Sequence, residues 1–278
     1  MEEITNFEEL NTYLLGLKAR NIGDNGERSN TTPPPCCFVF ANDKKEIDKP
    51  FFHNPEDWKT FWGICKKEYP LHSVYGGNSH STKENIESSE AWNFSNIIKK
   101  KINNDKLLSG NVLEIGPGFG GAGRHLMNTY KSNYFGIDYV LSNPEDVDYT
   151  FEGKKRFYEI NVSGIPEELK NINYNLIFST NVFQHLTQQQ RFDYIKEAYE
   201  CLEKDGVLYF DVFEGKKDVE LPKNFATSFF MVHTKVDTED ELMSCLKETG
   251  FSDIEKGTYN TINNTTDWVY YKCVKSSK

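Results

Sequence analysis

A glycine-rich turn that follows a short apolar run constrains the fold of this chain more than any other part of its sequence. The run Val112–Ile115 is followed at once by Gly116, Gly118 and Gly120. Glycine lets a backbone turn sharply and approach a ligand because it has no Cβ atom. Residues 122–130 are predicted to form a helix, whose first N–H groups favour a carboxylate or phosphate. This part of the chain therefore predicts a strand, a ligand-binding turn and a helix.

The same alternation of strand and helix continues downstream of the turn. Further strands are predicted at 134–137, 156–160, 176–178 and 207–213, and strand-like runs occur near 252–256 and 268–274. Two helices are predicted to start at capping boxes, at Thr187 and Thr238. Apolar strands that alternate with helices are typical of an α/β fold with a doubly wound parallel sheet. Ligands of such sheets lie at the carboxyl ends of the strands.

The first part of the chain, residues 1 to about 105, lacks this alternation. Residues 21–35 are polar and end in three prolines, which predicts a mobile loop. Aromatic residues follow, with helices predicted at 55–67 and 90–102. We therefore predict an N-terminal lid or acceptor-specificity lobe over 1–105 and a ligand-binding domain over 106–278.

The overall charge and the apolar content exclude several classes of protein. The 278 residues carry a formal net charge of −10, which argues against a nucleic-acid partner because phosphate binding needs a basic surface. No apolar stretch approaches the roughly 18 residues of a membrane span, and no N-terminal targeting pattern is present. The six cysteines lack metal-ligand spacing, which favours reduced thiols and a cytoplasmic protein.

Two acidic residues accompany the glycine turn. The glycine pattern alone is compatible with two cofactor types, because it also fits the dinucleotide fingerprint. Glu114 lies inside the first strand, where a dinucleotide site has an apolar residue, and its carboxylate could balance an ammonium group. Asp138 ends the second strand, where it could accept hydrogen bonds from ribose hydroxyls of either cofactor. The chain also shows no second nucleotide-binding half.

Taken in order, these segments resemble the class I S-adenosylmethionine-dependent methyltransferases. Residues 112–120 resemble the first motif of that family, 136–138 its acidic post-motif, and 175–186 its fourth-strand motif. Residues 201–208 are similar to the turn into its fifth strand, and 247–251 with the last strand pair to its closing segment. The resemblance covers about residues 105–275. It implies a Rossmann-like sheet of seven strands with an antiparallel last strand, and S-adenosyl-L-methionine as cofactor.

The resemblance also implies a set of cofactor-binding residues. Glu114 is expected to serve the methionine amino group, Asp138 the ribose hydroxyls and Tyr139 the adenine ring. Arg124 could meet the methionine carboxylate, and a surface role is the alternative. Asn161 stands where the family often has aspartate, and its amide oxygen can still accept from the adenine amino group. The predicted cofactor-binding residues are Glu114, Gly116, Pro117, Gly118, Arg124, Asp138, Tyr139, Asn161, Val162, Thr180 and Asn181.

Two histidines are candidates for a catalytic base. Methyl transfer is an in-line displacement in which the enzyme supplies alignment, and a base when the acceptor is a hydroxyl. His185 follows the fourth strand, although a packing role there is the competing interpretation, and His233 follows the fifth strand. Asp211 and Glu214 could suggest a metal, but no second acidic cluster has compatible spacing, so we predict no metal site.

Three functional hypotheses follow from the sequence. The first is a methyltransferase acting on a small molecule, such as a hydroxyl of a sugar, glycan precursor or related metabolite. The second is a methyltransferase acting on nucleic acid or protein. The third is a non-catalytic or NAD-binding use of the same fold. The acidic charge and the absence of nucleic-acid motifs favour the first, whereas no pattern indicates the oligomeric state.

Overall fold

A computed structural model describes residues 91, 94–118, 120–139, 150–160, 164–216, 225–226, 231–232, 236–261 and 266–276. Most of the predicted N-terminal lobe, with its polar segment 21–35 and helix 55–67, lies outside these residues. The boundary near residue 105 therefore stays a prediction. Of the helix predicted at 90–102, the part from residue 94 onward is described.

The described helices cover both faces of a central sheet, and their ends follow local capping chemistry. The side chains of Thr187 and Thr238 accept from the backbone N–H groups of Gln190 and Glu241 in complete capping boxes, as predicted. Gly250 ends the last helix in a left-handed conformation, also as predicted. The helical elements are a π-helical turn Phe94–Ile98, α1 Lys99–Ile102, α2 Asp105–Leu108, α3 Gly121–Tyr130, α4 Glu167–Lys170, a 3-10 turn Phe183–His185, α5 Gln188–Cys201 and α6 Glu239–Thr249.

Most of the strands belong to one sheet, and four short strands form two separate antiparallel pairs. These pairs are β3 with β4 and β8 with β9. The strands are β1 Asn111–Ile115, β2 Asn133–Asp138, β3 Thr150–Phe151, β4 Lys154–Lys155, β5 Phe157–Glu159, β6 Tyr174–Ser179, β7 Leu202–Gly215, β8 Phe225–Ala226, β9 Met231–Val232, β10 Asp237–Thr238, β11 Asp253–Thr261 and β12 Thr266–Val274.

The sheet order confirms the doubly wound, mostly parallel sheet. Its strands run in the order β11-β12-β7-β6-β1-β2-β5, and β12 is antiparallel to both of its neighbours. The prediction of seven strands needs one correction, because the two residues of β10 pair in parallel with the end of β7 and make an eighth. Strand β7 is also longer than the predicted 207–213. A register shift between Tyr174 and Leu176 accommodates its extra residues at the β6 edge.

Two apolar clusters pack on the opposite faces of the sheet. The larger cluster includes residues of α5 and α6 and, from β1, Leu113 and Ile115, whose side chains lie on the same face of the sheet. The smaller includes α3, Val112 of β1 and two residues of the π-helical turn, Phe94 and Ile98. The ring of Phe94 lies 5.3 Å from that of Phe178 on β6. The chain immediately before β1 is therefore part of the core of the sheet.

A buried ion pair joins α5 to β10. The Nε atom of Arg191 lies 2.6 Å from Oδ2 of Asp237, and neither side chain is more than 2% exposed. Gln188 donates to the other carboxylate oxygen at 2.6 Å. The guanidinium also donates to the carbonyl oxygens of Phe183 and Leu186, at the two ends of the 3-10 turn. One charged group therefore fixes three separate segments at the carboxyl edge of the sheet.

Removing one partner of this pair is expected to be costly, because it leaves an uncompensated charge in the interior. Asp237→Ala should lower the free energy of unfolding by about 3–5 kcal/mol, measured by urea denaturation. The matched control is Glu167→Ala, which breaks the exposed pair between Glu167 and Lys170 and should cost less than about 1 kcal/mol. Equal losses in the two variants would contradict this account of the buried pair.

Candidate functional site

Parallel pairing brings the ends of three central strands to the same edge of the sheet. Ile115 pairs with Ile137 of β2 on one side and with Ser179 of β6 on the other. The hydroxyl of Ser179 donates to the carbonyl oxygen of Ile115 at 2.9 Å, which ties the end of β6 to the end of β1. The segments that follow these strands carry most of the predicted site residues.

The glycine turn has a backbone that only glycine adopts without strain. The φ angles of Gly116, Gly118 and Gly120 are +75°, +58° and +79°. The N–H of Gly116 donates to the carbonyl of Ile137 at 2.8 Å, and that of Gly120 to the carbonyl of Pro117 at 2.8 Å. The turn is thus closed on itself by one hydrogen bond and anchored to β2 by the other.

The side chain of Glu114 is held by Tyr134. The sequence predicts that Tyr134 lies in a strand but does not predict this contact. The Glu114 side chain is buried in β1, and the hydroxyl of Tyr134 donates to its Oε2 at 2.5 Å. A Cβ atom at Gly123 or at Gly136 would collide with the Tyr134 ring or hydroxyl. These two glycines make room for the ring that orients Glu114. One of these glycines lies in the first turn of α3 and the other inside β2. Their positions are the only indication in the sequence that Tyr134 contacts Glu114.

Asp138 and Arg124 belong to the two elements that adjoin the glycine turn, β2 and α3. Asp138 is the last residue of β2 and is half-buried. The Nη2 atom of Arg124 lies 3.5 Å from the point that a Cβ on Gly120 would occupy. Tyr139 is buried and belongs to the larger core cluster on the α5 side of the sheet. The expected contact between Tyr139 and adenine stays a prediction.

The loop after β6 packs directly on the glycine turn. A methyl group of Val182 occupies the space that a Cβ on Gly116 would need. Asn181 has a left-handed backbone with φ +59°, and Thr180 before it is half-buried. The N–H of Asn181 donates to Oδ1 of Asp211 in β7 at 2.7 Å. The structure therefore brings the predicted residues Thr180 and Asn181 beside the predicted residue Gly116.

Asp211 has an unusual environment for a carboxylic acid. It is 2% exposed, and burial raises its pKa to about 7, although the Asn181 N–H opposes that rise. Glu214, farther along β7, is also buried, but Lys256 pairs with it at 2.5 Å and the Tyr271 hydroxyl donates to it. Burial raises the pKa of Glu214 as well, and these two partners oppose the rise. Within the described ranges, no group of three or more potential metal ligands occurs.

Gln184 is a site candidate that sequence reasoning missed. It lies in the 3-10 turn after β6 and is 1% exposed. Both polar atoms of its amide are buried, and neither has a hydrogen-bond partner among the residues that the structure describes. The turn itself is fixed by Arg191 and by Phe183, whose ring stacks on that of Phe210 at 4.8 Å. A buried amide without a partner costs about 1–3 kcal/mol.

Four predicted site residues are only partly placed or lie outside the described ranges. The backbone of His185 is in the 3-10 turn, but its side chain is not among those described. Asn161, Val162 and His233 lie outside the described residues. The roles assigned to these four residues remain predictions.

Asp211→Asn is expected to stabilise the ligand-free protein at pH 8 more than at pH 5. The folded pKa of about 7 exceeds the ordinary value of 3.8, so the unfolded chain loses this proton first. Ionisation of Asp211 therefore destabilises the fold progressively as the pH rises from 3.8 to about 7. Since asparagine stays neutral, the advantage of the variant should grow by on the order of 2 kcal/mol between the two pH values.

Urea denaturation of both proteins at several pH values measures this difference. A constant difference between variant and wild type across the range would contradict the raised pKa. Glu214→Gln serves as the comparison, because it removes a buried acid of the same strand that already has a lysine partner.

Comparison with known proteins identifies the class of this fold. The structure of an S-adenosylmethionine-dependent methyltransferase from Clostridium acetobutylicum ATCC 824 aligns over 69% of this chain and 99% of its own, with a TM-score of 0.50 and 14% identity. Magnesium protoporphyrin IX methyltransferase from Synechocystis PCC 6803 aligns over 81% and 98%, with a TM-score of 0.52 and 12% identity. At these identities the similarity establishes the fold, which is the Rossmann-like fold of class I methyltransferases.

A family model supplies the assignment that the fold alone does not. The model described as a methyltransferase domain matches residues 94–256, more than half of the chain. The protein therefore belongs to this methyltransferase-domain family, which confirms the resemblance identified in the sequence. No curated protein sequence matches the chain. The family match begins at Phe94, the residue whose ring packs on β6.

Proposed function

We propose that this protein transfers a methyl group from S-adenosyl-L-methionine to a polar group of a small molecule, with a metabolite hydroxyl as the favoured acceptor. The observation that carries the proposal is the left-handed glycine turn between two acids, Glu114 inside β1 and Asp138 at the end of β2. Membership of the methyltransferase family agrees with this choice of cofactor. It also favours methyl transfer over an NAD-dependent use of the fold.

The residues at the glycine turn fit the chemical groups of the cofactor. The methionine part carries an ammonium group, for which a buried carboxylate such as Glu114 is a suitable partner. The N–H groups at the start of α3 suit a carboxylate, with the Arg124 guanidinium close to Gly120. Asp138 ends β2, and a carboxylate at this position could accept hydrogen bonds from the ribose hydroxyls. We assign these residues, with Gly116, Pro117 and Gly118, to cofactor binding.

The proposed contributions of the chain are alignment and, for a hydroxyl acceptor, a base. When bound, S-adenosylmethionine supplies an electrophilic methyl group on a positively charged sulfur. The loop 179–182 and the fixed 3-10 turn that follows it line the adjacent edge of the sheet, and a rigid edge favours an aligned displacement. For a hydroxyl acceptor a base is needed, and His185 and His233 remain the proposed candidates.

The buried amide of Gln184 supports a polar acceptor. Its carbonyl can accept and its NH₂ can donate, so a hydroxyl or amine of the acceptor could satisfy both. Two fold neighbours are named for small molecules, magnesium protoporphyrin IX and, for the putative enzyme of Galdieria sulphuraria, sarcosine and dimethylglycine. The latter aligns over 79% of this chain and 98% of its own, with a TM-score of 0.51 and 12% identity. The net charge of −10 adds to the case against a nucleic-acid acceptor.

Among the helices that the structure describes, none combines the length and the apolar character that a membrane crossing requires.

Calorimetric titration with S-adenosylmethionine, S-adenosylhomocysteine and NAD tests the cofactor assignment. Both adenosyl ligands should bind, and Asp138→Ala should weaken that binding about 10-fold or more because hydrogen bonds to the ribose are lost. Asp253→Ala, an exposed change at the start of β11, is the matched control and should leave affinity unchanged. Binding of NAD with no affinity for either adenosyl ligand would overturn the proposal.

Substitution of two buried glutamines, Gln184 and Gln190, tests whether Gln184 contacts the acceptor. Gln184→Met replaces an amide that has no partner among the described residues by a side chain of similar size, so it should leave the thermal stability unchanged or raise it. Gln190→Met should instead destabilise the protein by about 1 kcal/mol. The side-chain carbonyl of Gln190 accepts from the Thr187 N–H at 2.8 Å in the capping box, and methionine cannot replace this bond. Turnover of Gln184→Met should fall with intact cofactor affinity. A large loss of stability in Gln184→Met would show that the amide has a structural role.

A further inference from the structure

The loop 179–182 is held against the glycine turn from two sides. On one side, Ser179 donates to the Ile115 carbonyl and a Val182 methyl contacts Gly116. On the other side, the Asn181 N–H donates to the Asp211 carboxyl group at 2.7 Å. Asp211 is therefore linked to the backbone of the glycine turn through Asn181, to which it bonds, and Val182, which contacts Gly116.

The conformation of Asn181 depends on this hydrogen bond. Its φ of +59° lies in the left-handed region, which costs about 1 kcal/mol or more for a residue other than glycine. Asparagine tolerates this region better than most residues, but the N–H that the turn directs toward β7 still needs an acceptor. Asp211 is that acceptor, and it lies on a strand in the interior of the sheet.

We propose that Asp211 is a positioning residue that holds the 179–182 loop in the arrangement that binds the adenosyl cofactor, and that its protonation makes cofactor affinity depend on pH. This inference rests on the proposed function, because it assumes an adenosyl cofactor at the glycine turn. Asp211 acts on the cofactor through Asn181 and Val182, not by contact.

Among the residues that the structure describes, the groups that face Asp211 do not titrate near neutral pH. Tyr209 lies on the same strand as Asp211, and Tyr259 lies on β11. Trp268 and Tyr270 lie on β12, where Tyr270 pairs with Asp211 in register. The Tyr209 and Tyr259 hydroxyls bond to each other, and burial raises the pKa of each well above its usual range. Both tyrosines therefore stay neutral at any pH at which the protein is assayed.

The direction of the pH effect follows from the charge on the acceptor. Burial places the pKa of Asp211 at about 7, so the group is ionised above that pH and neutral below it. A carboxylate is a stronger acceptor for the Asn181 N–H than a carboxylic acid is. The loop is therefore held more firmly above pH 7, and cofactor affinity rises with pH. The free energy of unfolding moves the opposite way, because burying the charge destabilises the fold.

Calorimetric titration with S-adenosylhomocysteine between pH 5.5 and 8.5 tests the inference. The wild-type protein should bind about 5-fold more tightly at the upper end, which is the difference expected between a charged and a neutral acceptor. In Asp211→Asn that dependence should disappear, with affinity near the low-pH value of the wild type. The matched control is Glu214→Gln, a buried acid of the same strand, which should keep the wild-type pH dependence.

Nuclear magnetic resonance gives a readout that needs no variant. In the ligand-free protein, the amide proton of Asn181 should shift downfield as the pH rises through about 7, because its acceptor becomes charged. An Asn181 amide that does not titrate in this range would overturn the inference, even if Asp211→Asn failed to fold.

The two failures are separable. No binding of S-adenosylhomocysteine by the wild type at any pH would contradict the proposed function. Binding with the same pH dependence in wild type and Asp211→Asn would leave the function standing and remove Asp211 as the positioning residue.

Discussion

The parallel pairing of β1 with β2 on one side and β6 on the other is the constraint on which the rest of the structure depends. It places Gly116, Asp138 and the loop after Ser179 at one edge of the sheet. The backbone there must turn sharply, and glycine makes the left-handed turn possible. Space for Val182 exists only because Gly116 has no side chain. The topology and the glycine turn thus define one site together, and neither defines it alone.

Polar groups buried beside this edge are arranged to hold it rigid. Tyr134 orients Glu114, Asp211 orients Asn181, and Arg191 with Asp237 fixes the 3-10 turn. Each pair joins segments that are distant in sequence. Burial of such groups costs free energy unless they are well paired, so their presence at one edge indicates that the fold favours a fixed geometry there. The amide of Gln184, in the same 3-10 turn, is buried but has no hydrogen-bond partner among the residues that the structure describes.

Local patterns explain why much of the fold could be predicted from sequence. The capping boxes at Thr187 and Thr238 and the stop at Gly250 depend on residues within one turn, and the structure has all three. The glycine spacing predicted the turn between β1 and α3, and the family resemblance predicted the antiparallel last strand. The eighth strand, β10, was missed because two residues carry no recognisable period.

The contacts that make the site rigid could not be predicted in the same way. Asp211 and Asn181 are 30 residues apart, and Arg191 and Asp237 are 46 apart, so their partnership depends on strand order and register. Asp211 was considered only as a metal ligand, because an isolated acid in a strand does not reveal its acceptor role. The contact between Tyr134 and Glu114 is indicated in the sequence only by Gly123 and Gly136. Their role is recognised only when the structure shows the Tyr134 ring packed against both glycines.

We propose that the glycine turn and Asp138 form the binding site for an adenosyl cofactor. A crystal structure of the protein with S-adenosylhomocysteine tests it most directly. We expect the ligand at the carboxyl ends of β1 and β2, with its ribose hydroxyls bonded to Asp138 and its amino acid part beside the turn and Glu114. A ligand bound elsewhere, or a ribose held by residues other than Asp138, would contradict the account.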